Sequence, residues 1–69
     1  MSSFVVIYDR RTGKSEVRPH HGPQAHREAF RERLALEAQN HNPDVEIVSL
    51  ISDSLETIKR THSRYFQTA

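Results

Sequence analysis

The residues best suited to chemistry include three carboxylates that two predicted strands would bring together. Asp44 and Glu46 are two positions apart, so in a strand their side chains project to the same side. Asp9 ends the first predicted strand and could approach them, and carboxylate oxygens are the ligands that divalent cations prefer. Turn formation and capping explain Asp9 and Asp44 without a metal. We therefore expect neither a metal site nor catalysis here.

Three of the five histidines are close in sequence, at His20, His21 and His26. Histidine ligands for zinc usually come from one helix face or a rigid turn, together with other N, O or S ligands. The chain has no cysteine and no His-Glu-x-x-His pattern, and the adjacent pair falls in a segment rich in proline and glycine. We interpret these histidines as exposed and predict no metal and no cofactor.

Hydroxyl groups offer no clear nucleophile. Thr61, His62 and Ser63 are consecutive, and neighbours on a helix point in different directions, which argues against a catalytic pair. The run Gly13-Lys14-Ser15 resembles the end of a phosphate-binding loop, but the upstream glycine is missing and a hairpin surrounds it. We predict that the protein is not an enzyme.

Basic residues leave a binding function open. Lys and Arg number 10 against 9 acidic residues, so the formal net charge is only +1, whereas nucleic-acid binders usually carry a larger excess. Arg27 and Arg31 are one helical turn apart, as are Arg60 and Arg64, and such rows can follow phosphates. Interleaved glutamates also fit an ordinary solvated helix surface. Nucleic-acid binding is therefore the alternative interpretation.

The chain of 69 residues has room for a single domain, residues 1–69. A domain this small buries only about 60% of its unfolded surface. With 35% hydrophobic residues in periodic clusters, it is typical of a small globular protein. The first apolar run is too short for a signal peptide or a membrane span, so we expect no membrane partner and a cytoplasmic location.

Two strands and a hairpin begin the predicted fold. The apolar run Phe4–Tyr8 is β-branched or aromatic throughout, which favours a strand. Gly13 can close a hairpin to an edge strand at Ser15–Arg18, and Pro19 is expected to end that strand. Pro23 suits the start of a helix.

The segment Gln24–Gln39 consists of strong helix formers. Phe30, Leu34 and Ala38 recur every four residues and form an apolar stripe that we expect to pack on the sheet. A weaker patch, on roughly the opposite side, is either a broader core face or a contact for another subunit. Its members are Ala25, Ala29 and Leu36.

The segment Asp44–Ile51 has the densest branched apolar residues, on both parities, which predicts a central strand around which the other elements pack. We predict the strand order 2-1-3, with strand three parallel to strand one. Asp53 and Glu56 have the spacing of a capping box for a final helix. Its apolar face would be formed by Leu55, Ile58, His62, Tyr65 and Phe66.

Four segments of the chain form a recognisable pattern: Tyr8–Gly13, Asp44–Val48, Ser54–Glu56 and Thr61-His62-Ser63-Arg64-Tyr65-Phe66. They resemble a family of short bacterial proteins of the actinobacterial type with no established function, and the last segment is the most specific. The resemblance covers nearly the whole chain and implies a free-standing small bacterial domain, without implying site residues, a cofactor or a partner.

The sequence thus predicts an α+β domain of order β-β-α-β-α, with a mixed three-stranded sheet and two helices packed on one face. We expect a non-catalytic module that binds an unknown protein partner or itself. Tyr65 could stack or anchor in a contact, or with Phe66 close the core. The candidate interaction surface comprises His62, Arg64, Tyr65, Arg60, Arg10 and Arg11.

Overall fold

The computed structural model describes residues 2–66, which form one α+β unit with the predicted order of elements. The apolar clusters of the sequence become the three strands, and the segments of strong helix formers become the two helices. The elements are β1 (Ser2–Asp9), β2 (Ser15–His20), α1 (Ala25–Gln39), β3 (Val45–Ser52), α2 (Leu55–Thr61) and a 3-10 turn (Ser63–Tyr65).

The strand order is β2-β1-β3, as predicted, but the sheet is antiparallel rather than mixed. The expectation that β3 runs parallel to β1 was wrong. The crossover through α1 returns the chain to the end of the sheet where β2 begins, so β3 runs parallel to β2. Since β2 is the hairpin partner of β1, both outer strands are antiparallel to the strand between them.

The centre of the sheet is β1, not β3. Val5 and Val6 project to opposite faces and are both 0% exposed, so this strand is covered on both sides. The prediction that the Asp44–Ile51 stretch is the central strand was wrong. This stretch forms an edge, and Ile51 near its end is 61% exposed.

The two helical segments reach opposite faces of the sheet. Side chains of α1 hydrogen-bond to Ser3 and Arg18, which the strand register places on one face. Tyr65 packs edge to face on Tyr8, with ring centroids 5.4 Å apart, and Tyr8 projects from the other face. The expectation of both helices on one face was therefore wrong. The side chains of β1 are apolar on both faces of the sheet, so a helical segment must pack on each face.

Helix α1 has the predicted extent but presents the opposite side to the sheet. Ala25 and Ala29 are each 1% exposed, whereas Phe30 is 49% and Leu34 is 47% exposed. The expectation that the stripe of Phe30, Leu34 and Ala38 packs on the sheet was wrong. Small alanine side chains allow the helix to approach the strands closely, and the bulkier stripe is left facing outward.

The hairpin forms as predicted, with Asp9 Oδ1 accepting the backbone N–H of Arg11 at 2.9 Å and Gly13 at φ 76°. The strand β2 does not stop before Pro19, but continues through it and pairs it with Phe4. Proline is tolerated because β2 is an edge strand, where an N–H can point to solvent without loss of a ladder hydrogen bond.

Helix α2 begins at a different cap from the predicted one and is shorter. Ser54, rather than Asp53, is the N-cap, and its hydroxyl accepts the backbone N–H of Thr57 at 3.2 Å. The helix ends at Thr61, and a 3-10 turn carries the chain onward. Ile58 is buried, as its place on the apolar face predicts.

Candidate interaction surfaces

Three residues of the predicted interaction surface converge on the carboxylate of Glu46. Arg64 Nη2 donates to both of its oxygens, at 2.9 and 3.0 Å, and Arg10 Nε lies 3.6 Å from Oε1. The hydroxyl of Tyr65 donates to Oε2 at 3.5 Å. This group, the Glu46 cluster, ties the C-terminal turn and the β1–β2 hairpin to β3.

Tyr65 is 8% exposed, so it belongs to the core and is not an exposed anchor. The guanidinium of Arg64 lies 4.8 Å from its ring centroid, and the ring of His62 stacks at 6.5 Å. Tyr8 closes the remaining side. The interpretation that Tyr65 completes the core is the one the packing supports.

Of the three residues of that surface outside the Glu46 cluster, His62 stacks on Tyr65 and the other two, Arg11 and Arg60, lie apart from it. Arg11 is exposed at the hairpin tip, and Arg60 is exposed on α2. Within residues 2–66 neither side chain forms an ion pair. The six predicted residues are therefore a cluster of four around Tyr65 with two separate arginines.

A second ionic group links α1 to β2, and no spacing in the sequence predicts it. Glu32 accepts hydrogen bonds from His20 Nε2 at 2.8 Å and from Arg18 Nη1 at 3.1 Å. Arg18 also bonds to Glu16 at 2.6 Å. The hydrogen bond from His20, reinforced by Arg18, holds the pKa of Glu32 below its ordinary value. We call this group the Glu32 cluster.

His21 and His26 are exposed, as interpreted from the sequence, and His20 is partly buried, and each of the three forms a side-chain hydrogen bond. His20 lies in β2 within the Glu32 cluster, His21 Nδ1 is 2.7 Å from the hydroxyl of Ser2, and His26 Nδ1 bonds to Ser3. Ser3 is 1% exposed, so its hydroxyl needs this partner. Among residues 2–66, no three His, Asp or Glu side chains are grouped as metal ligands.

The hydroxyl of Thr61 and Nδ1 of His62 are 2.9 Å apart, although the sequence argument placed them in different directions. They meet because α2 ends between them, so His62 is not helical. Thr61 donates its proton to the carbonyl oxygen of Thr57 at 3.0 Å. His62 Nδ1 must then donate to the hydroxyl, and a nitrogen that carries a proton is not a base for Thr61.

Within residues 2–66, no other strand pairs with the outer edge of β3. The backbone N–H of Asp9 bonds toward β2, and that of Arg10 bonds to Asp44 on the β3 side. Backbone hydrogen bonds point to alternate sides of a strand from one residue to the next. The even-numbered residues of β1 therefore bond to the even-numbered residues of β3. The odd residues of β3 consequently direct their N–H and C=O groups outward. They are Val45, Ile47, Ser49 and Ile51, and of these Val45 already donates its N–H to the carbonyl oxygen of Asn42 at 3.2 Å.

Large apolar side chains are exposed on the side of the molecule that carries this edge. Glu32 marks the side of α1 that faces β2, and Phe30 and Leu34 are each about 160° around the helix from it. His26, one turn before Phe30, bonds to Ser3, which pairs with Ile51. We call Phe30, Leu34, Ile51 and the outer edge of β3 the apolar edge.

No family, curated protein or solved structure matches the chain. The resemblance of its four segments to short bacterial proteins therefore stays a prediction. The part of the chain that the structure describes contains no pocket. Neither of its helices has the length and apolar character needed to cross a bilayer.

Proposed function

We propose that the protein is a small, non-catalytic interaction module and that the apolar edge is its contact surface. The observation that carries this proposal is the exposure of Phe30, Leu34 and Ile51 at 49%, 47% and 61%. In a chain this small, such side chains beside an unpaired strand edge are costly to leave in water. A protein partner would cover both the side chains and the backbone groups.

The surface predicted from the sequence supports the proposal less well. Arg10 and Arg64 are both paired with Glu46, and Tyr65 is buried against Tyr8. A partner that used these groups would have to break contacts that hold the C-terminal turn in place. The apolar edge can be covered without breaking a hydrogen bond of the fold.

Photo-crosslinking tests the proposal. A photoreactive amino acid at Ile51, compared with one at the exposed Glu56 on α2, is activated in an extract of the source cells. We expect a discrete crosslinked protein from position 51 alone. An excess of the unmodified chain should compete it away, and an excess of Ile51→Lys should not. Equal labelling from both positions, or no competition, would contradict the proposal.

Nucleic-acid binding is the second proposal, and one observation favours it. Arg27 and Arg31 are exposed one turn apart on α1 and form no ion pair within residues 2–66. Titration of the labelled chain with short single- and double-stranded DNA and RNA, followed by NMR, tests this. Binding through phosphates should weaken steeply as salt rises and should fail for Arg27→Glu. Spectra that do not change at low salt would reject it.

A further inference from the structure

We propose that the partner of the apolar edge is a second copy of this chain, joined through antiparallel pairing of β3 with β3. The two sheets would form one six-stranded antiparallel sheet with a two-fold axis at Ser49. This inference rests on the proposed function and adds the identity of the partner. The argument comes from the backbone direction, the side-chain register and the flanking helix.

The backbone of β3 is suited to such pairing along most of its length. Ile47, Ser49 and Ile51 offer outward N–H and C=O groups, whereas the N–H of Val45 already bonds to the carbonyl oxygen of Asn42, and the strand has no proline. With the axis at Ser49, this residue faces its own copy and Ile47 faces Ile51 of the second copy. Those are residues of the outward set, so the ladder hydrogen bonds of both strands are satisfied.

The side chains of β3 are self-complementary in the same register. On the α1 side of the sheet, Ile47 would meet the exposed Ile51 of the second copy, with the small Ser49 at the axis. On the other side, Val48 would meet Leu50 of the second copy. The one charged residue of the strand, Glu46, would face a serine, so no like charges oppose each other.

Helix α1 widens the contact beyond the strand. A stable homodimer buries about 800 Å² per subunit, more than a strand edge alone supplies. Phe30 and Leu34 lie on the side of α1 away from β2, so in the extended sheet the two helices would bring these residues toward each other. The register of β3 and the exposed side chains of α1 are thus consistent with the same symmetric contact between two copies.

The test is sedimentation equilibrium of the purified chain between about 1 µM and 1 mM, a range that covers weak dimers. Wild type should be a dimer at the upper concentrations. Ser49→Lys should remain a monomer, with its dissociation constant raised at least tenfold. Ser15→Lys is the matched control, because Ser15 is an exposed serine on the other edge, and it should associate as wild type does.

Circular dichroism establishes that each variant is folded, and Ile51→Ser replaces Ser49→Lys if the lysine variant is not. A wild type that stays monomeric to 1 mM, or dimers that survive Ser49→Lys and Ile51→Ser, would overturn the self-pairing. In that case a crosslink from position 51 to another protein would still uphold the proposed function. Loss of that crosslink as well would reject both.

Discussion

The two edges of the sheet both expose backbone groups, but only one of them carries residues that hinder the addition of another strand. At the β2 edge, Pro19 offers no N–H, and Glu16 and Arg18 place charges along the strand. The β3 edge has no proline, and it carries a single charged residue, Glu46, whose carboxylate bonds to Arg64. Charges and proline are the usual means of preventing strand addition. This difference between the edges supports the proposal that a partner covers the β3 edge.

The difference extends to the neighbouring helix. On its β2 side, α1 joins the sheet through the hydrogen bonds of Glu32 to Arg18 and His20. On its other side it exposes Phe30 and Leu34. Changes on the β2 side should therefore alter the stability of the monomer, and changes on the β3 side should alter association.

The largest expected effect comes from placing a proline in the β3 edge, as Pro19 stands in the β2 edge. Ser49→Pro removes an N–H that points outward and is not used by β1, so the monomer should stay folded. We expect the dissociation constant of the dimer to rise at least tenfold, or about 1.4 kcal/mol. Sedimentation equilibrium measures it, and an unchanged constant would show that β3 is not the interface.

Glu32→Gln should act on folding alone. It removes the carboxylate that accepts from Arg18 and His20, at 26% side-chain exposure. We expect the free energy of unfolding to fall by about 0.5–1 kcal/mol, typical of a partly exposed ionic group. Urea denaturation of dilute monomer measures this loss. A change in the dimer dissociation constant would contradict the separation of the two edges.

The same cluster gives stability a defined dependence on pH. The pKa of Glu32 is lowered in the folded chain, chiefly by the hydrogen bond from His20. The stabilisation is therefore complete above the unfolded pKa, about 4.3, and is lost as pH falls through the lower folded value. Wild type and Glu32→Gln should differ in unfolding free energy at pH 7 and converge as the pH falls below the unfolded pKa and through the lower folded pKa. A constant difference across that range would refute this origin.

Arg64→Ala should have the smallest effect. Its side chain is 63% exposed, so the pairing with Glu46 should contribute only about 0.5 kcal/mol to the free energy of unfolding. Association should change little, because Arg10 remains beside Glu46 and the residue that would face Glu46 in the β3–β3 register is the uncharged Ser52. If this variant lost the dimer while Ser49→Pro kept it, the surface predicted from the sequence would be the interface.

Local patterns in the sequence were enough to predict the elements and their order. The β-branched run of β1, the glycine of the hairpin and the helix formers of α1 are each decided by near neighbours in the chain. The direction of β3 was predicted wrongly because the crossover was expected to make β3 parallel to β1, whereas it makes β3 parallel to β2. The side of α1 that is buried could not be read from its two apolar stripes, since close approach of alanine outweighed the size of Phe30 and Leu34.

The candidate site depended on contacts that sequence spacing does not reveal. Arg64 is 18 residues from Glu46, and His26 is 23 residues from Ser3. The contact of Arg64 with the ring of Tyr65, the pairing of Arg64 with Glu46 and the burial of the ring all required the fold. The apolar edge was not predicted, because the sequence pattern indicated that β3 was the central strand and that the stripe of Phe30 and Leu34 packed in the core.

Disulfide trapping tests the central claim most directly, because the chain contains no cysteine of its own. At a two-fold axis on Ser49, its Cα atom would lie about 5.5 Å from that of its copy, within the range a disulfide spans. Under mild oxidation, Ser49→Cys should form a covalent dimer rapidly, and Ser15→Cys on the β2 edge only slowly. Equal rates for the two variants would contradict pairing through β3.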